Sequence, residues 1–345
     1  MNAKSDRSIW KRLNEFDRRI SEPIFAARLP FAFLEYLLSI PGNWFGSCSF
    51  ASATLPSLLG IFCDGGIAEW HPWHGLVAGL IAFNLTIWTL LLSPKKSAIS
   101  RRARIIFYGP LTGAVGPIIG VTVLAMSPLS TMAKNVGYFQ ICSWSIGVIP
   151  TACLKPLVSR QRPASWILLK NDATTSDDED RVNRLQKAAK EKHINTLPKL
   201  FTLDANHSFP SGDTAGALSS MYTLIFLDHV YPSSSSLGVR IVGIILVLLS
   251  CFGRMYWMAH HLLDVSVGVL AAYFPLVLLE RMFCDERGCN MEWWVPLVGH
   301  FILLVTVIVT RAMFSSKKGV FAAGSIRVDG ESGDEDDSAK GTKQE

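Results

Sequence analysis

Hydrophobic residues in this chain come in long blocks with few or no charges, rather than at the spacing of an amphipathic helix or strand. Most blocks are close to the ~20 apolar residues that a helix needs to cross the hydrocarbon layer of a bilayer. The pattern predicts an all-α fold, a polytopic transmembrane bundle of about six to eight helices. The candidate spans are 44–63, 74–93, 105–126, 137–154, 214–228, 237–253, 262–280 and 293–314.

The segment before the first span, residues 1–43, is basic, and its first thirty residues lack the apolar core of a signal peptide. Four apolar residues recur there at steps of four, three and four, which places them on one helical stripe: Ile9, Leu13, Phe16 and Ile20. A basic helix with such a stripe either lies on a membrane surface or packs on the protein's own loops, and both interpretations stay open. The apolar stretch 29–40 is too short to span, and we expect Pro41-Gly42 to separate it from the first span.

Two further segments are polar. The loop 171–194 contains Ser176 and Glu179 at the spacing of a capping box, which predicts a short solvated helix. The tail 315–345 is rich in Gly, Ser, Asp and Glu, and we expect it to be disordered.

Composition narrows the class of protein. Charged residues make up 18% of the chain and hydrophobic residues 49%, which argues against a disordered or nucleic-acid-coating protein, so we expect no nucleic-acid partner. With eight spans, most Lys and Arg residues fall on one side, including five in the loop 94–104. Because an excess of basic residues marks the cytosolic side, we predict cytosolic termini, and an endomembrane such as the endoplasmic reticulum is compatible with this topology.

The seven cysteines show no C-x-x-C pair and no histidine at zinc-ligand spacing, so we predict no metal site. Cys284 and Cys289 lie in a loop on the side opposite the basic residues. We expect two free thiols there, with a disulfide as the alternative if that side is oxidising.

Three polar clusters stand at span ends on the basic side. The first follows the fourth span and contains Lys155, Arg160, Arg162 and Pro163. The second precedes the fifth span and reads Pro210-Ser211-Gly212-Asp213. The third joins the sixth span to the seventh and contains Arg254, His260 and Asp264.

Together these clusters have the chemistry of a phosphate site. Fixed cations near lipid are costly and usually functional, and guanidinium groups match phosphate oxygens in pairs. A glycine turn before a helix presents backbone N–H groups to an anion. His260 and Asp264 are four residues apart, so one helical face would hold an imidazole and a carboxylate that fixes its tautomer. Each cluster alone also has an ordinary structural interpretation: basic anchors at the membrane for the first, a helix-start turn for the second and an interfacial histidine for the third. The occurrence of all three together favours a functional site.

These residues resemble the type 2 phosphatidic acid phosphatase superfamily, also called lipid phosphate phosphatases and related to vanadium haloperoxidases. The family pattern is K-x6-R-P, then P-S-G-H, then S-R-x5-H-x3-D. The first motif matches completely, and the third matches with Gly253 in place of serine. The resemblance covers about residues 137–280, which implies a phosphatase-like membrane domain over 44–314 with its active site at the membrane interface.

The resemblance implies a role for each matching residue. His260 would be the nucleophile that forms a phosphohistidine, and Asp264 would orient it. The phosphate would be held by Lys155, Arg162, Arg254, Ser211 and the amide of Gly212. No cofactor is implied, because Lys and Arg supply the positive charge that a metal supplies elsewhere.

Asp213 departs from the family, which has at this position the histidine that protonates the leaving oxygen. A carboxyl group near several cations is a poor proton donor at neutral pH. Three outcomes stay open: bound phosphate raises the pKa of Asp213, His207 donates the proton instead, or the site binds phosphate and turns over slowly or not at all. Asn206-His207-Ser208 is also a glycosylation sequon, so glycan on Asn206 would contradict a cytosolic loop.

We therefore expect an integral membrane lipid phosphatase that hydrolyses a lipid phosphate monoester or diphosphate, with the bilayer and the lipid phosphate as its partners. One alternative is a phosphotransferase that passes the phosphoryl group to a lipid alcohol. The other is a non-catalytic protein that binds lipid phosphates, motivated by Asp213.

Overall fold

A computed structural model describes residues 3–45, 50–64, 71–92, 112–158, 160–164, 167, 176–192, 208–227, 236–286 and 288–314. Over these residues the chain forms eleven α-helices and one small hairpin, so the predicted all-α fold is confirmed. The helices are α1 Ala3–Ala26, α2 Ala32–Phe45, α3 Leu55–Cys63, α4 Pro72–Leu92, α5 Thr112–Met126, α6 Thr131–Val158, α7 Ser176–Lys190, α8 Gly212–Phe226, α9 Ser236–Tyr256, α10 Leu262–Phe283 and α11 Val295–Phe314. A π-helical turn, Phe50–Thr54, leads into α3, and β1 Cys284–Asp285 pairs antiparallel with β2 Gly288–Cys289.

Among the described residues, three helices are long and apolar enough to cross a membrane by length and composition: α6, α9 over Leu237–Tyr256, and α10. Shorter apolar helical stretches are Phe50–Cys63, Val115–Met126 and Val295–Thr310. The helices match the predicted spans in order, and the number that cross the bilayer stays a prediction.

Helix α8 is the centre of the bundle and packs against α2, α6, α9 and α10. Its residues 214–223 are all buried, and most of those in its first half are Gly, Ala, Ser or Thr. Small side chains let neighbouring backbones approach closely, as in membrane helix pairs. For example, a Cβ atom on Gly216 would lie 2.7 Å from the carbonyl oxygen of Phe45. The close packing brings the first turn of α8 next to the end of α6, the end of α9 and the start of α10.

Helix α1 turns its polar face towards the bundle. Asp17 and Ser21 are buried, whereas Leu13, Phe16 and Ile20 of the apolar stripe are exposed, Phe16 by 62%. Around Asp17 this helix therefore packs on the protein through polar residues and leaves its apolar stripe on the outside, whereas Phe25 near its end is buried in an apolar cluster. Its placement at a membrane surface stays a prediction.

Helix α2 contradicts the break expected at Pro41-Gly42, because it runs through both residues to Phe45. Gly42 lets α2 approach α9 closely, since a Cβ atom there would lie 2.7 Å from Cδ of Arg254. The absence of a side chain at this position leaves room for the arginine.

Two other expectations are corrected. Helix α7 is not solvated all round, since Val182, Leu185 and Ala189 are buried; Leu185 and Ala189 belong to a cluster with Phe25 of α1. Cys284 and Cys289 form a disulfide across the β1–β2 hairpin, so the expectation of free thiols is wrong. The loop 94–104, Asn206, His207 and the tail 315–345 lie outside the described residues.

Gly253 generates a prediction, because this glycine of α9 packs against the backbone of α2. A Cβ atom on Gly253 would overlap the carbonyl oxygen of Leu38, whereas a Cβ atom on Gly238 in the same helix would meet nothing within 4 Å. Alanine raises helix propensity by up to ~1 kcal/mol at either site. We expect Gly253→Ala nevertheless to destabilise the protein by about 1–3 kcal/mol through overpacking, while Gly238→Ala does not.

Thermal unfolding of the two purified variants in the same detergent would measure this difference. A Gly253→Ala protein as stable as the Gly238→Ala control would show that α2 and α9 are not packed as closely as described.

Candidate active site

The described residues of the three sequence clusters meet at one end of the bundle. Lys155 lies in the last turn of α6, and Arg160 and Arg162 follow it. Asp213 lies in the first turn of α8, and Arg254 in the last turn of α9. The short connection between α9 and α10 carries His260, and the first turn of α10 carries Asp264.

His260 is completely buried between polar groups of different segments. Its Nε2 atom lies 3.3 Å from Nη1 of Arg162, and its Nδ1 atom lies 3.4 Å from Oγ of Ser208. Because a guanidinium group only donates hydrogen bonds, Nε2 must be the acceptor in the contact with Arg162. The ring proton is therefore assigned to Nδ1, which donates to Ser208 and leaves the lone pair of Nε2 facing the cations.

Asp264 supports the imidazole through Ser208 rather than directly. Its Oδ2 atom is 3.8 Å from Nδ1 of His260, too far for a hydrogen bond. The hydroxyl of Ser208 donates to the same Oδ2 atom and bridges the gap. The carboxylate also turns back to accept the backbone N–H of His261 at 2.8 Å, as the acid of a capping box does. The direct bond implied by the four-residue spacing is thus replaced by a serine that the sequence analysis missed.

Asp213 forms an ion pair with Arg254, with 2.7 Å between Oδ2 and Nη2. The same oxygen is 3.7 Å from Nε2 of His260. Burial by itself would raise the pKa of Asp213, but Arg254, His260 and Lys155 outweigh burial and hold that pKa well below its ordinary value. At neutral pH the group is a carboxylate beside His260, and it has no proton to give.

The remaining predicted phosphate ligands line the start of α8. A Cβ atom on Gly212 would lie 3.5 Å from Nζ of Lys155, so this lysine reaches the glycine turn. Ser211 is the N-cap of α8, and its Oγ accepts the N–H of Thr214 at 3.3 Å. A hydroxyl that accepts one bond can still donate its proton. The N–H of Gly212 belongs to the first helical turn, whose amides have no acceptor within the helix.

Arg160 is part of the site rather than an ordinary interfacial anchor. Its side chain is 9% exposed, and Nη1 lies 2.6 Å from Oδ1 of Asp264. Its Nη2 atom lies 2.6 Å from Oδ2 of Asp17 in α1. Sequence reasoning found the residue but could not assign it a partner more than a hundred positions away.

Residue types that can bind a metal lie behind His260, where Asp17, His261 and Asp264 bring their ligand atoms within 4.8 Å of one another. Arg160 contacts both carboxylates and supplies positive charge there. Burial, with Arg160 second, lowers the pKa of His261 to about 4, so its imidazole is neutral at physiological pH. Burial likewise lowers the pKa of His260, as do Arg162 and Arg254, which favours the unprotonated imidazole.

The arrangement can attack an electrophilic phosphorus atom. It presents an unprotonated imidazole nitrogen, and three cations stand around the position where charge on phosphate oxygens would develop. His207, the alternative proton donor, lies outside the described residues.

Comparison with known proteins gives a family for this part of the chain. Residues 138–286 match the family model described as the PAP2 superfamily, a segment that includes most of α6, all of α8 to α10 and the disulfide hairpin. No curated protein and no solved structure matches the chain. The family match agrees with the three motifs and with their convergence on His260, and residues 138–286 of the chain are similar to the PAP2 superfamily.

Proposed function

We propose that this protein is a metal-independent lipid phosphatase that acts through a phosphohistidine on His260. The observation that carries the proposal is the geometry around Nε2, which is the acceptor atom of the imidazole and faces Arg162 at 3.3 Å. Superfamily members are phosphatases and phosphoesterases, and apolar helices α6, α9 and α10 fit a membrane protein. The substrate class, the orientation in the membrane and the roles of individual residues are inferred from the site itself.

Arg254 supports phosphate as the ligand. Its Nη2 atom is paired with Asp213, but its Nε atom is buried and has no hydrogen-bond partner in the described part of the chain. A buried donor without an acceptor costs about 1–3 kcal/mol or more, so it favours the binding of an acceptor. A phosphate oxygen placed before Nε2 of His260 would supply one, with Lys155, Arg162, Ser211 and the amide of Gly212 as its other ligands.

The position of the site suits a lipid. His260 and Asp264 lie at the beginning of α10, whose length and composition fit a membrane span. A site at the end of a span meets the headgroup region of a bilayer, so a phosphate could enter while its acyl or prenyl chains stay among lipids. Free sugar or nucleotide phosphates would not need this arrangement.

The disulfide supports the predicted orientation. It follows the last residue of α10, whereas His260 precedes the first, and a helix of 22 residues is about 33 Å long. If α10 spans the bilayer, the disulfide and the site face opposite sides. Disulfides persist in oxidising compartments, so we place the site and both termini on the cytosolic side of a membrane such as that of the endoplasmic reticulum.

Asp213 favours a diphosphate over a monoester as the substrate. Cleavage of a monoester releases an alkoxide, a strong base that needs a proton as it leaves. Cleavage of a diphosphate releases a lipid phosphate, whose second pKa is about 6 and which leaves without a proton. Because Asp213 is held as a carboxylate by Arg254, the site fits the second reaction better than the first.

The same ion pair is the observation behind a second candidate, a protein that binds lipid phosphates without turnover. In that case Asp213 would compete with phosphate for Arg254, and no group would complete the reaction. The two candidates differ in whether a phosphoenzyme forms.

The first prediction for the site concerns the nucleophile. His260→Ala should abolish phosphate release from lipid diphosphates, because no other imidazole faces Arg162 and Arg254 among the described residues. Purified protein in detergent would be incubated with a prenyl diphosphate labelled in its terminal phosphate, and acid-labile, base-stable label on the protein would be counted as phosphohistidine.

The matched control is His71→Ala, which removes an exposed histidine at the start of α4. This control should retain wild-type activity and labelling. Equal label on the wild type and the His260→Ala protein would exclude His260 as the nucleophile. Lipid that binds to the wild type without transferring its label to the protein would favour the non-catalytic candidate.

The second prediction concerns Asp213 and the leaving group. Asp213→His restores a proton donor, so we expect kcat for phosphatidic acid to rise by roughly 10²-fold or more, since general acid catalysis contributes about 10²–10⁴-fold. The rate for a prenyl diphosphate should change much less, because its leaving group does not need the proton.

The measurement is kcat for both substrates in the wild type, Asp213→His and Asp213→Asn. The asparagine variant removes the charge without adding a donor and should not reproduce the gain for phosphatidic acid. A wild type that prefers the monoester, with a fall in both rates on Asp213→His, would mean that Asp213 itself serves as the acid.

A further inference from the structure

Helix α1 contacts the catalytic centre although it lies far outside the matched segment 138–286. Three of its polar residues face the site: Asn14, Asp17 and Ser21. These contacts bear on how His260 is held in position, and the role of α1 inferred from them rests on the proposed function of His260.

The first contact is with the beginning of α10. The backbone N–H of Leu262 donates to Oγ of Ser21 at 2.9 Å, and the N–H of Leu263 donates to Oδ1 of Asp17 at 2.9 Å. The first amides of a helix have no acceptor within it, so α1 supplies acceptors from outside. These two bonds fix the turn of α10 that carries Asp264.

The second contact passes through Arg160. Its guanidinium donates to Oδ1 of Asn14, at 3.0 Å from Nε and 2.6 Å from Nη2, and it pairs with Asp17. The remaining Nη1 atom donates to Oδ1 of Asp264 at 2.6 Å. A planar guanidinium held on two edges can point its third nitrogen in one direction only, which a lysine ammonium could not do.

The third link leads to the nucleophile. Asp264 accepts from the hydroxyl of Ser208, whose Oγ lies 3.4 Å from Nδ1 of His260. The backbone N–H of Ser208 donates to the carbonyl oxygen of Arg160 at 2.8 Å. The arginine thus controls both the carboxylate and the serine that determine the tautomer and direction of the imidazole.

We propose that Asn14 and Asp17 of helix α1 are positioning residues of the catalytic centre: they hold Arg160, which aligns Asp264 and Ser208 behind His260. This role agrees with the packing of α1, which buries its polar face and leaves its apolar stripe outside. Activity then requires α1 in place, so the family segment is not sufficient by itself.

The test uses the full-length protein and the isosteric substitution Asp17→Asn. Asparagine can still accept the N–H of Leu263 through its amide oxygen, while its NH2 group replaces the carboxylate oxygen that pairs with Arg160. We expect the single-turnover rate of phosphoenzyme formation from a prenyl diphosphate to fall roughly 10- to 100-fold, because small misplacements of a nucleophile cost that much. The concentration for half-maximal rate should change by less than about threefold, since Asp17 does not contact phosphate.

Glu22→Gln is the matched control. Glu22 forms an ion pair with Arg181 of α7, so this variant loosens another contact of α1 without touching Arg160. Its rate should stay within about twofold of the wild type. Asn14→Ala should fall in the same way as Asp17→Asn, and Asp17→Asn should add little in an Arg160→Gln background, because both changes break one network.

The rates of the variants distinguish a positioning role of α1 from a general effect on stability. A slow Asp17→Asn protein beside a normal Glu22→Gln protein supports the proposal, as does the lack of additivity. Equal losses in the two variants would mean that α1 acts only through general stability, and a normal Asp17→Asn protein would also overturn the role. A wild type that forms no phosphoenzyme would instead contradict the proposed function. The contact of α1 would then be tested alone, by hydrogen exchange at the backbone amides of residues 260–266. Faster exchange in Asn14→Ala than in Glu22→Gln would support the contact, and equal exchange in the two variants would overturn it.

Discussion

Two arginine–aspartate ion pairs flank His260, and the rest of the site depends on them. Arg254 and Asp213 stand on the Nε2 side, while Arg160 and Asp264 stand behind Ser208 on the Nδ1 side. Charges withdrawn from water are costly unless they are paired and hydrogen-bonded. Because each pair joins segments that are distant along the chain, the pairing also holds the helix ends together around the imidazole.

Close helix packing makes these pairs geometrically possible. Gly268 of α10 lies so near the carbonyl oxygen of Ser211 that a side chain would not fit, and Gly147 of α6 lies as near to Ser219. The backbone N–H of Ser211 in turn donates to the carbonyl oxygen of Asp264 at 2.9 Å. In lipid, where association gains little from the hydrophobic effect, such contacts and hydrogen bonds fix the bundle. Small residues at these helix contacts therefore serve the site as much as its charged residues do.

The sequence allowed a prediction of the helical bundle and the clusters around His260, because hydrophobic blocks and short motifs are local signals. It did not reveal Ser208 as the bridge, since a serine in a loop has no local mark of its partner. The break expected at Pro41-Gly42 was wrong: helix α2 continues through both residues, and the close approach of Arg254 to Gly42 is a tertiary contact that the local turn signal does not reveal. The link between Asp17 and Arg160 spans more than a hundred positions and could be seen only in the folded chain.

Asp213 and a phosphate need not exclude each other. A guanidinium has five N–H donors, and the ion pair with Asp213 uses Nη2, while Nε stays buried without a hydrogen-bond partner among the described residues. The carboxylate can thus hold Arg254 in a fixed direction while an incoming phosphate takes the remaining donors. What the carboxylate cannot do in that pair is release a proton. The change from histidine to aspartate at this position would then leave binding possible and restrict the chemistry to leaving groups that depart as stable anions.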